Sequence, residues 1–417
     1  MRILWAKANK LLPVHSGGDI RSFHIARHLS VHDELLFLSY YDGPPDEGYE
    51  QELRACFPGA VCVCTGKSVG TLARGVDYIW RLPHQAAYAV SRFDCSQVRN
   101  KLSSWFEERR FDVAVCDFLD AAINFPETLS IPAVLFQHNV ESDIWRRHVA
   151  TEHNSARRLL YTIEYRKMLA YERRMVREFD HVIAVSEHDR QLMAAWVDPS
   201  RISVVPTGVD LSQYRPEPGA AVDSSLVVFI GAMDWEPNVD AVEFFCTEIW
   251  PSVLSDIPNA RFRIVGRNPG RRVLKFQSSS IEVTGRVSSV VDHLRLAAAV
   301  VVPLRIGGGT RLKIYEAMAC GKAVVSTSVG AEGLDVNNGK DILLMDNARA
   351  FAEALRMVLK NADIRRRYEQ AAAELAARYD WLAVAQNFGK VLEQVVTSDS
   401  AREHLTQEAR AAERVWS

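Results

Sequence analysis

The sequence predicts an α/β fold made of two Rossmann-like domains. Short apolar runs alternate with helical patterns along the 417 residues. Runs without polar alternation are typical of strands buried on both faces, as in parallel sheets with helical crossovers. The length also exceeds what one ordinary core accommodates, so two domains of roughly 200 residues each are expected.

The predicted strands form two series. The first series lies at 2–6, 34–40, 61–65, 112–117, 132–138, 181–186 and 202–206, and the second at 225–231, 261–266, 281–285, 299–304, 322–327 and 342–345. Between them, "SQYRPEPGA" (212–220) carries two prolines and a glycine and has no apolar period. This composition indicates a linker.

These patterns predict a domain organisation and the place of a site. The predicted segments are an N-terminal domain (1–211), a linker (212–221), a C-terminal domain (222–378), a helix crossing back to the N-terminal domain (379–396) and a charged tail (397–417). Doubly wound sheets bind ligands at the carboxyl ends of their strands, so two facing domains would enclose one cleft.

Composition excludes several classes of protein. The 50 Lys and Arg residues balance 52 Asp and Glu residues, which argues against bulk nucleic-acid binding. Seven cysteines without a Cys-x-x-Cys pair fit a reduced compartment. The longest apolar run, "LAAAVVVPL", is too short to span a membrane, and "MRILWA" enters a strand directly, so no signal peptide is expected. We therefore expect a cytoplasmic protein.

Two helical segments leave alternatives open. Residues 141–178 form a long helical stretch, interrupted near His153, with nine basic and six acidic side chains. This stretch is either a solvated surface or a basic face that contacts an anionic membrane, which would place the protein at the inner face of the plasma membrane. Within 69–90, Leu72, Val76, Ile79 and Trp80 share one helical face, which core packing or an acceptor groove explains equally well.

The segment "IGGGTRLKIYEAMACG" (306–321) combines flexible and charged residues. Backbone N–H groups of a glycine turn before a helix form an anion site, and Arg311 and Lys313 add positive charge. The spacing fits neither a Walker loop nor the dinucleotide fingerprint. An ordinary helix entry is the alternative, and an acid such as Glu316 is favourable near any helix N-terminus.

Residues 303–334, which contain this segment, resemble the donor-binding signature of the retaining glycosyltransferases of family 4, which have the GT-B fold. Further segments follow in the order of that family: "SGGDIRS" (16–22), "FQHNVE" (136–141), "AVSEHD" (184–189), "VVPTGVD" (204–210), "FIGAMDWEPNVDAVEFF" (229–245), "IVGR" (264–267) and "VTGRV" (283–287). The pattern is also similar to a bacterial subgroup associated with exopolysaccharide and surface glycans.

The resemblance implies a UDP- or GDP-sugar donor in the C-terminal domain and a glycan or polyprenyl-linked acceptor in the N-terminal domain. Glu316 would bind the ribose, and His138 would lie beside the transferred sugar. The implied nucleobase contacts are Gly285, Arg286 and Val287. The implied diphosphate contacts are Gly231, Gly266, Arg267, Gly307, Gly308, Gly309 and Thr310, with Gly17 and Gly18 closing over the donor from the other domain.

The chain departs from the family pattern at two places. Gly308 stands where relatives carry the first acid of a Glu-x7-Glu motif, which leaves recognition of the donor sugar in question. The cations usual after the first C-terminal strand are missing from "GAMDWEPN" (231–238). We predict that Arg311 and Lys313, with Arg305 or Arg267, supply the charge that the leaving diphosphate needs.

The expected mechanism needs no metal and no cofactor. No Asp-x-Asp follows a strand, so cations and helix dipoles would hold the diphosphate. The family resemblance implies front-face attack, with the departing phosphate accepting the proton. His138 would hydrogen-bond a sugar hydroxyl, act as a base or pack in the core, and Asp19 would contact the acceptor or cap a helix.

The sequence therefore predicts a retaining glycosyltransferase. Two alternatives remain at this level: a sugar-nucleotide epimerase on the same architecture, and a relative that binds a nucleotide-sugar without turnover. A nicotinamide oxidoreductase is disfavoured because the glycine fingerprint is absent.

Overall fold

The chain divides into two units, each built on one parallel sheet. Unit 1 contains residues 1–205 and 384–417, and unit 2 contains residues 206–383. The structure is a computed structural model that describes residues 1–14, 16–67, 70–152, 154–217, 219, 221–306 and 312–415. The side chains of residues 71–74 and 399–415 are outside that description.

Unit 1 contains a seven-stranded parallel sheet in the order β3-β2-β1-β4-β5-β6-β7. Its strands are β1 (Arg2–Ala8), β2 (Glu34–Tyr41), β3 (Val61–Cys64), β4 (Val113–Asp117), β5 (Ala133–Phe136), β6 (His181–Ala184) and β7 (Ile202–Val204). The central strands β4 and β5 are buried along their whole length, because helices cover both faces of the sheet.

Helices connect these strands, because parallel strands need a crossover between them. They are α1 (Gly17–Leu29), α2 (Glu47–Cys56), α3 (Thr71–Arg81), α4 (Tyr88–Ser91), α5 (Ser96–Glu107), α6 (Glu141–Thr151), α7 (Ser155–Glu178) and α8 (Glu187–Met193), with 3-10 turns at Leu119–Asn124 and Pro199–Arg201. Side-chain caps fix several helix starts: Ser16 accepts the N–H of Asp19, and Asn154 accepts the N–H groups of Ala156 and Arg157.

Unit 2 contains a six-stranded parallel sheet in the order β10-β9-β8-β11-β12-β13. Its strands are β8 (Asp223–Ile230), β9 (Arg261–Val265), β10 (Ile281–Gly285), β11 (Ala297–Val302), β12 (Ala323–Ser326) and β13 (Leu343–Leu344). The helices are α9 (Glu236–Phe244), α10 (Trp250–Asp256), α11 (Arg271–Leu274), α12 (Val290–Leu296), α13 (Leu312–Ala319), α14 (Ala348–Lys360) and α15 (Ala362–Ala376), with a π-turn at Phe245–Ile249 and a 3-10 turn at Ala377–Tyr379. The last helix, α16 (Trp381–Val415), begins in unit 2 and continues in unit 1.

Each sheet has one point at which the strand order reverses. In unit 1 it lies between β1 and β4, and in unit 2 between β8 and β11. At such a point the connections leave in opposite directions, so a crevice opens beside the carboxyl ends of the two strands. The topology therefore places a candidate ligand site at one defined edge of each unit.

The predicted strands and the helical interruption are confirmed. All thirteen apolar runs form strands, and every strand pair is parallel. The stretch 141–178 forms α6 and α7, which are separated near the predicted break. No helix among the described residues has the length and hydropathy needed to cross a bilayer.

Segment boundaries differ from the predicted ones. Residues 206–211 pack with unit 2 instead of unit 1, because the N–H of Val209 donates to the carbonyl of Tyr379 at 2.8 Å. The C-terminal residues from Val384 onward belong to unit 1, and α16 continues to Val415 through the predicted tail.

The core-packing interpretation of the apolar face in 69–90 is wrong. On α3, Val76, Ile79 and Trp80 are exposed to 56%, 65% and 78%. The side chain of Leu72 lies outside the described part. A residue pattern at helical spacing shows which side chains share a face, and it does not show what covers that face.

The α16 segment supplies part of the core of unit 1. Phe388 is fully buried, and its ring lies 5.5 Å from that of Trp5 and 4.9 Å from that of Phe136, measured between centroids. The last helix of the chain therefore covers the first strand and a central strand of the same sheet.

Replacing Phe388 by Ala should lower the free energy of unfolding by about 3–5 kcal/mol, because it leaves a cavity between two aromatic rings. Urea denaturation followed by circular dichroism measures this loss. Leu382→Ala is the matched control on the same helix, since Leu382 is half exposed and its replacement should change stability by less than about 0.5 kcal/mol. Equal effects of the two substitutions would contradict the role of α16 in this core.

Candidate functional site

Charged side chains collect at the point of reversal in unit 1. Lys7 near the end of β1 is paired in register with Asp117 at the end of β4, and both are almost fully buried. Their charged atoms lie 3.8 Å apart. Because an isolated buried charge is costly, such a pair is retained only where opposite charges and hydrogen bonds compensate it.

His138 follows β5 and joins this group. Its Nε2 lies 2.7 Å from Oδ1 of Asp117, and its Nδ1 lies 2.8 Å from Nη1 of Arg21. An arginine can only donate, so Nδ1 of His138 is the acceptor and Nε2 carries the proton that Asp117 accepts. The contacts therefore fix a neutral imidazole in one tautomer.

Burial and charge together set the ionisation of this group. Burial lowers the pKa of His138 to about 3 and the pKa of Arg21 to about 10. Burial alone would raise the pKa of Asp117, but Lys7 and the hydrogen bond from His138 lower it below its usual value. Asp117 is thus ionised, and it also accepts hydrogen bonds from Trp5 at 3.0 Å and Ser22 at 3.0 Å.

Phe118 covers the group with its ring. The ring stacks on the imidazole of His138 at 3.7 Å, and the ammonium of Lys7 lies 4.0 Å from its centroid. Phe118 adopts a φ of 71°, which is uncommon for a residue with a side chain and costs roughly 1–3 kcal/mol. A Cβ on Gly18 would lie 2.3 Å from the ring, so any larger residue there would force the ring to move.

The start of α1 shows how Asp19 is used. The Ser16 hydroxyl donates to Oδ2 of Asp19 at 2.6 Å and accepts the N–H of Asp19 at 3.1 Å. This reciprocal arrangement resembles a capping box. Asp19 also lies 3.3 Å from Nζ of Lys7. The N-cap of α1 is Ser16, and Asp19 lies with Gly17 in the first turn of the helix, where it pairs with Ser16 and Lys7. A contact between Asp19 and the acceptor stays a prediction.

A group of carboxyls with raised pKa values lies near the end of β4 and the start of α6. Burial raises the pKa of Asp120 to about 7 and that of Glu141 to about 8. Glu172 on α7 accepts the N–H groups of Glu141 and Ser142 at 2.8 and 3.0 Å, so it caps α6 from another helix. This part of unit 1 is therefore rich in carboxyl groups, and Asp120 and Glu141 are partly protonated near neutral pH.

An open cavity of 670 Å³ lies in unit 1, at the carboxyl ends of β1 and β2. It is lined by Asn9, Lys10, Tyr41, Asp42, Arg92 and the loop 43–47. Lys10 pairs with Asp46 at 2.5 Å, and Arg92 lies 3.6 Å from Asp42. The cavity is large enough for a small ligand and offers donors and acceptors of both charges.

In unit 2, three glycines end three neighbouring strands. The N–H of Gly231 donates to Val265 at 3.0 Å, and the N–H of Gly266 donates to Gly285 at 3.2 Å. A Cβ on Gly266 would lie 1.7 Å from the carbonyl oxygen of Gly231. Gly285 has a φ of +71°, which favours glycine. These loops thus present bare backbone at the carboxyl edge of the sheet.

Lys313 lies at the same edge. Its Nζ donates to Oδ1 of Asn238 on α9 at 2.8 Å and lies 4.7 Å from the ring centroid of Phe229 on β8. Asn238 in turn donates to the carbonyl of Ala232 at 2.9 Å. The cation of α13 is therefore held beside the loop after β8, where the sequence itself has no lysine or arginine.

Glu316 lies one turn further along α13. Burial raises its pKa, which a hydrogen bond from the hydroxyl of Tyr214 and the charge of Lys313 partly offset. Tyr214 also has a raised pKa, mainly through burial and then through Glu316. Within the described part of the chain, the half-buried carboxyl accepts a hydrogen bond from Tyr214, which also belongs to unit 2.

The remaining residues that the sequence predicts for the site differ in their burial and in their partners. Arg305 is engaged by Asp240 through two hydrogen bonds of 3.1 and 2.6 Å, and Arg267 lies 3.8 Å from Asp234. Arg286 is exposed, and Val287 packs partly against the core of unit 2. The predicted residues Gly307, Gly308, Gly309, Thr310 and Arg311 lie outside the described residues.

The sequence interpretation missed several polar residues that position the side chains described above, some in unit 1 and some in unit 2. They are Lys7, Arg21, Asp117, Tyr214 and Asn238. A signal was present for two of them, since Lys7 and Asp117 are charged residues at the ends of otherwise apolar strands on either side of the order reversal. Among the described residues, no group of three or more His, Cys, Asp or Glu side chains is placed to hold a metal.

Two family models match the chain. A model of glycosyl transferases group 1 covers residues 224–361, which lie in unit 2, and a model of glycosyltransferase family 4 covers residues 60–213, which lie mainly in unit 1. The matched regions include the strand ends that carry Asp117, His138, Gly231 and Gly266, and also Lys313.

Curated relatives carry related activities. The phosphatidyl-myo-inositol mannosyltransferase of Mycolicibacterium smegmatis is 26% identical over 326 residues, which is 75% of this chain and 79% of that protein. Its counterpart in Mycobacterium leprae is 30% identical over 52% of this chain and 60% of that protein. The D-inositol 3-phosphate glycosyltransferase of Rhodococcus jostii is 29% identical, and the chain spans less than half of its length.

Solved structures share the fold. HepE of Anabaena, in complex with UDP, superimposes with a TM-score of 0.67 at 15% identity and covers 94% of this chain and 100% of its own. WaaG, a glycosyltransferase involved in lipopolysaccharide biosynthesis, gives a TM-score of 0.62 at 16% identity and covers 94% and 99%. At this identity the likeness establishes the two-domain GT-B architecture.

Exchanging His138 for Gln should change how stability depends on pH. An unfolded histidine binds a proton near pH 6.5, whereas folded His138 stays neutral down to about pH 3, so the wild type loses unfolding free energy as pH falls below 6.5. Between about pH 6.5 and pH 5, this group should contribute a loss of about 2 kcal/mol that the variant lacks. Urea denaturation at several pH values measures it. The exposed His84→Gln is the control, and parallel curves for wild type and H138Q would contradict the buried neutral state.

Gly266→Ala should destabilise unit 2 by about 1–3 kcal/mol, because the added methyl group would meet the Gly231 carbonyl and force the two loops apart. Thermal unfolding gives the difference. Gly270→Ala, in the same loop region, is a matched control, since a Cβ there meets nothing within 4 Å. If G266A and G270A have the same melting temperature, the backbone contact does not constrain these loops.

Proposed function

Because the chain belongs to the glycosyltransferases of family 4, we propose that it transfers a sugar from a UDP- or GDP-sugar to a glycan or lipid-linked acceptor. The transfer retains the anomeric configuration and requires no metal ion. The observation that carries the proposal is the position of the Lys313 ammonium, held by Asn238 beside the glycine loop that ends β8.

The edge of unit 2 has the properties of a nucleotide-diphosphate site. Gly231 and Gly266 have no side chain, and a Cβ at either position would meet Asn238 or the Gly231 carbonyl, so backbone borders this edge of the sheet. Backbone amides in such loops and a nearby ammonium stabilise diphosphate oxygens without a metal. Glu316, with its raised pKa, offers a carboxyl that accepts the two ribose hydroxyls when ionised. The glycine loops, Lys313 and Glu316 would therefore bind a sugar nucleotide together.

In the proposed reaction, the diphosphate is both the leaving group and the base. As the bond to the anomeric carbon breaks, negative charge grows on the departing diphosphate, and Lys313 lowers the energy of that charge. The diphosphate then accepts the proton of the attacking hydroxyl. This assignment agrees with the engagement of both ring nitrogens of His138, which leaves neither for general-base work in this arrangement.

The acceptor would bind in unit 1. The cavity beside Asn9, Lys10, Tyr41 and Arg92 offers paired charges and hydroxyls that suit a polyhydroxylated head group. The relatives phosphatidyl-myo-inositol mannosyltransferase and D-inositol 3-phosphate glycosyltransferase are named for a phosphorylated inositol group, lipid-borne or free. By analogy, a phosphorylated polyol or glycan head group is the acceptor class to test first.

Two single substitutions test the site by affecting different parts of the nucleotide. Lys313→Met should weaken binding of UDP or GDP at least tenfold and leave uridine or guanosine binding unchanged, because a charge-assisted hydrogen bond of about 1.5–3 kcal/mol is lost. Glu316→Gln should weaken the nucleoside and the diphosphate in parallel, since both carry the ribose. Isothermal titration calorimetry measures all four affinities.

Lys340→Met is the control, because Lys340 is exposed in a loop of the same unit. Unchanged UDP and GDP affinity in K313M would refute the diphosphate assignment.

Addition of EDTA should leave both binding and sugar transfer unchanged. Donor epimerisation without acceptor would indicate the epimerase alternative, and donor binding without product would indicate a binding-only relative.

A further inference from the structure

Exposed apolar side chains are concentrated on one pair of helices in unit 1. Among the described residues, fourteen large hydrophobic side chains are exposed, and seven of these lie in two short segments. They are Val76, Ile79, Trp80 and Leu82 at α3, and Leu159, Leu160 and Ile163 at α7. We call these seven side chains the α3–α7 apolar surface. An apolar cluster of this kind indicates an interaction site.

The two helices are joined by specific contacts. The hydroxyl of Tyr78 donates to Glu164 at 3.3 Å, and the ammonium of Lys167 donates to the carbonyl of Leu82 at 2.6 Å. Glu164 also accepts the N–H of Tyr88 at 2.7 Å. These contacts orient α3 by its polar side, so its apolar side chains remain on the outward side.

The same region is strongly basic. On α7, six arginines are exposed, whereas two of its three acids are buried, leaving Glu178 as its exposed acid. The exposed arginines are Arg157, Arg158, Arg166, Arg173, Arg174 and Arg177. The whole chain has almost no net charge, so this helix is a local excess of positive charge.

Apolar and basic positions share one stripe of α7. Leu159, Ile163, Arg166 and Arg177 recur at helical spacing along a line of roughly 27 Å. On the neighbouring α3, the exposed Trp80 adds an amphipathic side chain of the type that lies at membrane interfaces. The arrangement combines burial of apolar side chains with attraction to negative head groups.

We propose that the α3–α7 apolar surface, with the arginines of α7, docks unit 1 onto an anionic lipid bilayer. A second copy of this chain fits less well, because a symmetric contact would bring two arginine-rich helices together. None of the seven apolar side chains lines the cavity of unit 1, so attachment through this surface leaves the lining of that cavity available to a ligand.

Vesicle co-sedimentation of the full chain tests the proposal. We expect binding to vesicles of phosphatidylcholine with phosphatidylglycerol at low salt, at least tenfold weaker binding at high salt, and little binding to phosphatidylcholine alone. The double substitution Ile79→Ser with Trp80→Ser should weaken binding to the anionic vesicles at least tenfold. Arg158→Glu with Arg166→Glu should weaken it similarly.

Matched controls keep the result specific. Val31→Ser with Leu274→Ser replaces two other exposed apolar side chains, and Arg349→Glu replaces an exposed arginine in unit 2. Both controls should bind like the wild type, and thermal unfolding should show that all variants fold. Failure of the wild type to bind anionic vesicles, or equal binding by the α3 variant and its control, would overturn the proposal.

Two further readouts distinguish docking on a bilayer from self-association and from sugar transfer. If the α3 substitutions dissolve a dimer in sedimentation velocity and the wild type ignores vesicles, the surface is a contact between copies and the proposal fails. The docking proposal is independent of the donor assignment. Vesicle binding by a wild-type chain that transfers no sugar would support docking and contradict the proposed function, whereas sugar transfer without vesicle binding would do the reverse.

Discussion

The contact between Gly266 and the carbonyl of Gly231 is the constraint on which the candidate donor site depends. Two neighbouring parallel strands end at the same height, and their loops approach more closely than any side chain would allow. This approach leaves the edge of the sheet lined by backbone. It also leaves room for a cation from a different helix, and Lys313 occupies that position through Asn238. Lys313 thus lies beside a loop that has no lysine or arginine of its own.

In unit 1, the point of strand reversal carries buried polar side chains instead of exposed backbone. There the polar side chains are buried, so each charge must be compensated inside the protein. Asp117 is the centre of this arrangement, since it accepts from Trp5, Ser22 and His138 and lies near Lys7. The neutral His138 donates a hydrogen bond to this carboxylate. Phe118, which has a positive φ, stacks its ring on the His138 imidazole. We interpret these residues as a scaffold that shapes this edge of the unit 1 sheet.

Much of the fold was predictable, because continuous apolar runs such as β11 allow little besides a strand buried on both faces. The positions of the glycines at 231, 266 and 285 were also predictable, since each of them ends or directly follows an apolar run. Their contacts with a donor stay a prediction. Contacts between distant residues were not: nothing in the sequence near Lys313 indicates Asn238, and nothing near His138 indicates Arg21. The exposure of Trp80 was equally hidden, because the same helical spacing describes a core face and an open one.

Sugar transfer from a nucleotide donor with retention can be measured on the purified protein. It would be incubated with isotope-labelled UDP- and GDP-sugars and a panel of phosphorylated polyol, glycan and polyprenyl-linked acceptors, and the product would be identified by mass spectrometry and NMR. We expect one consumed donor, an equal amount of released nucleotide diphosphate, and a glycosidic bond with the anomeric configuration of the donor. An inverted product, or binding of NAD in place of every sugar nucleotide, would contradict this interpretation.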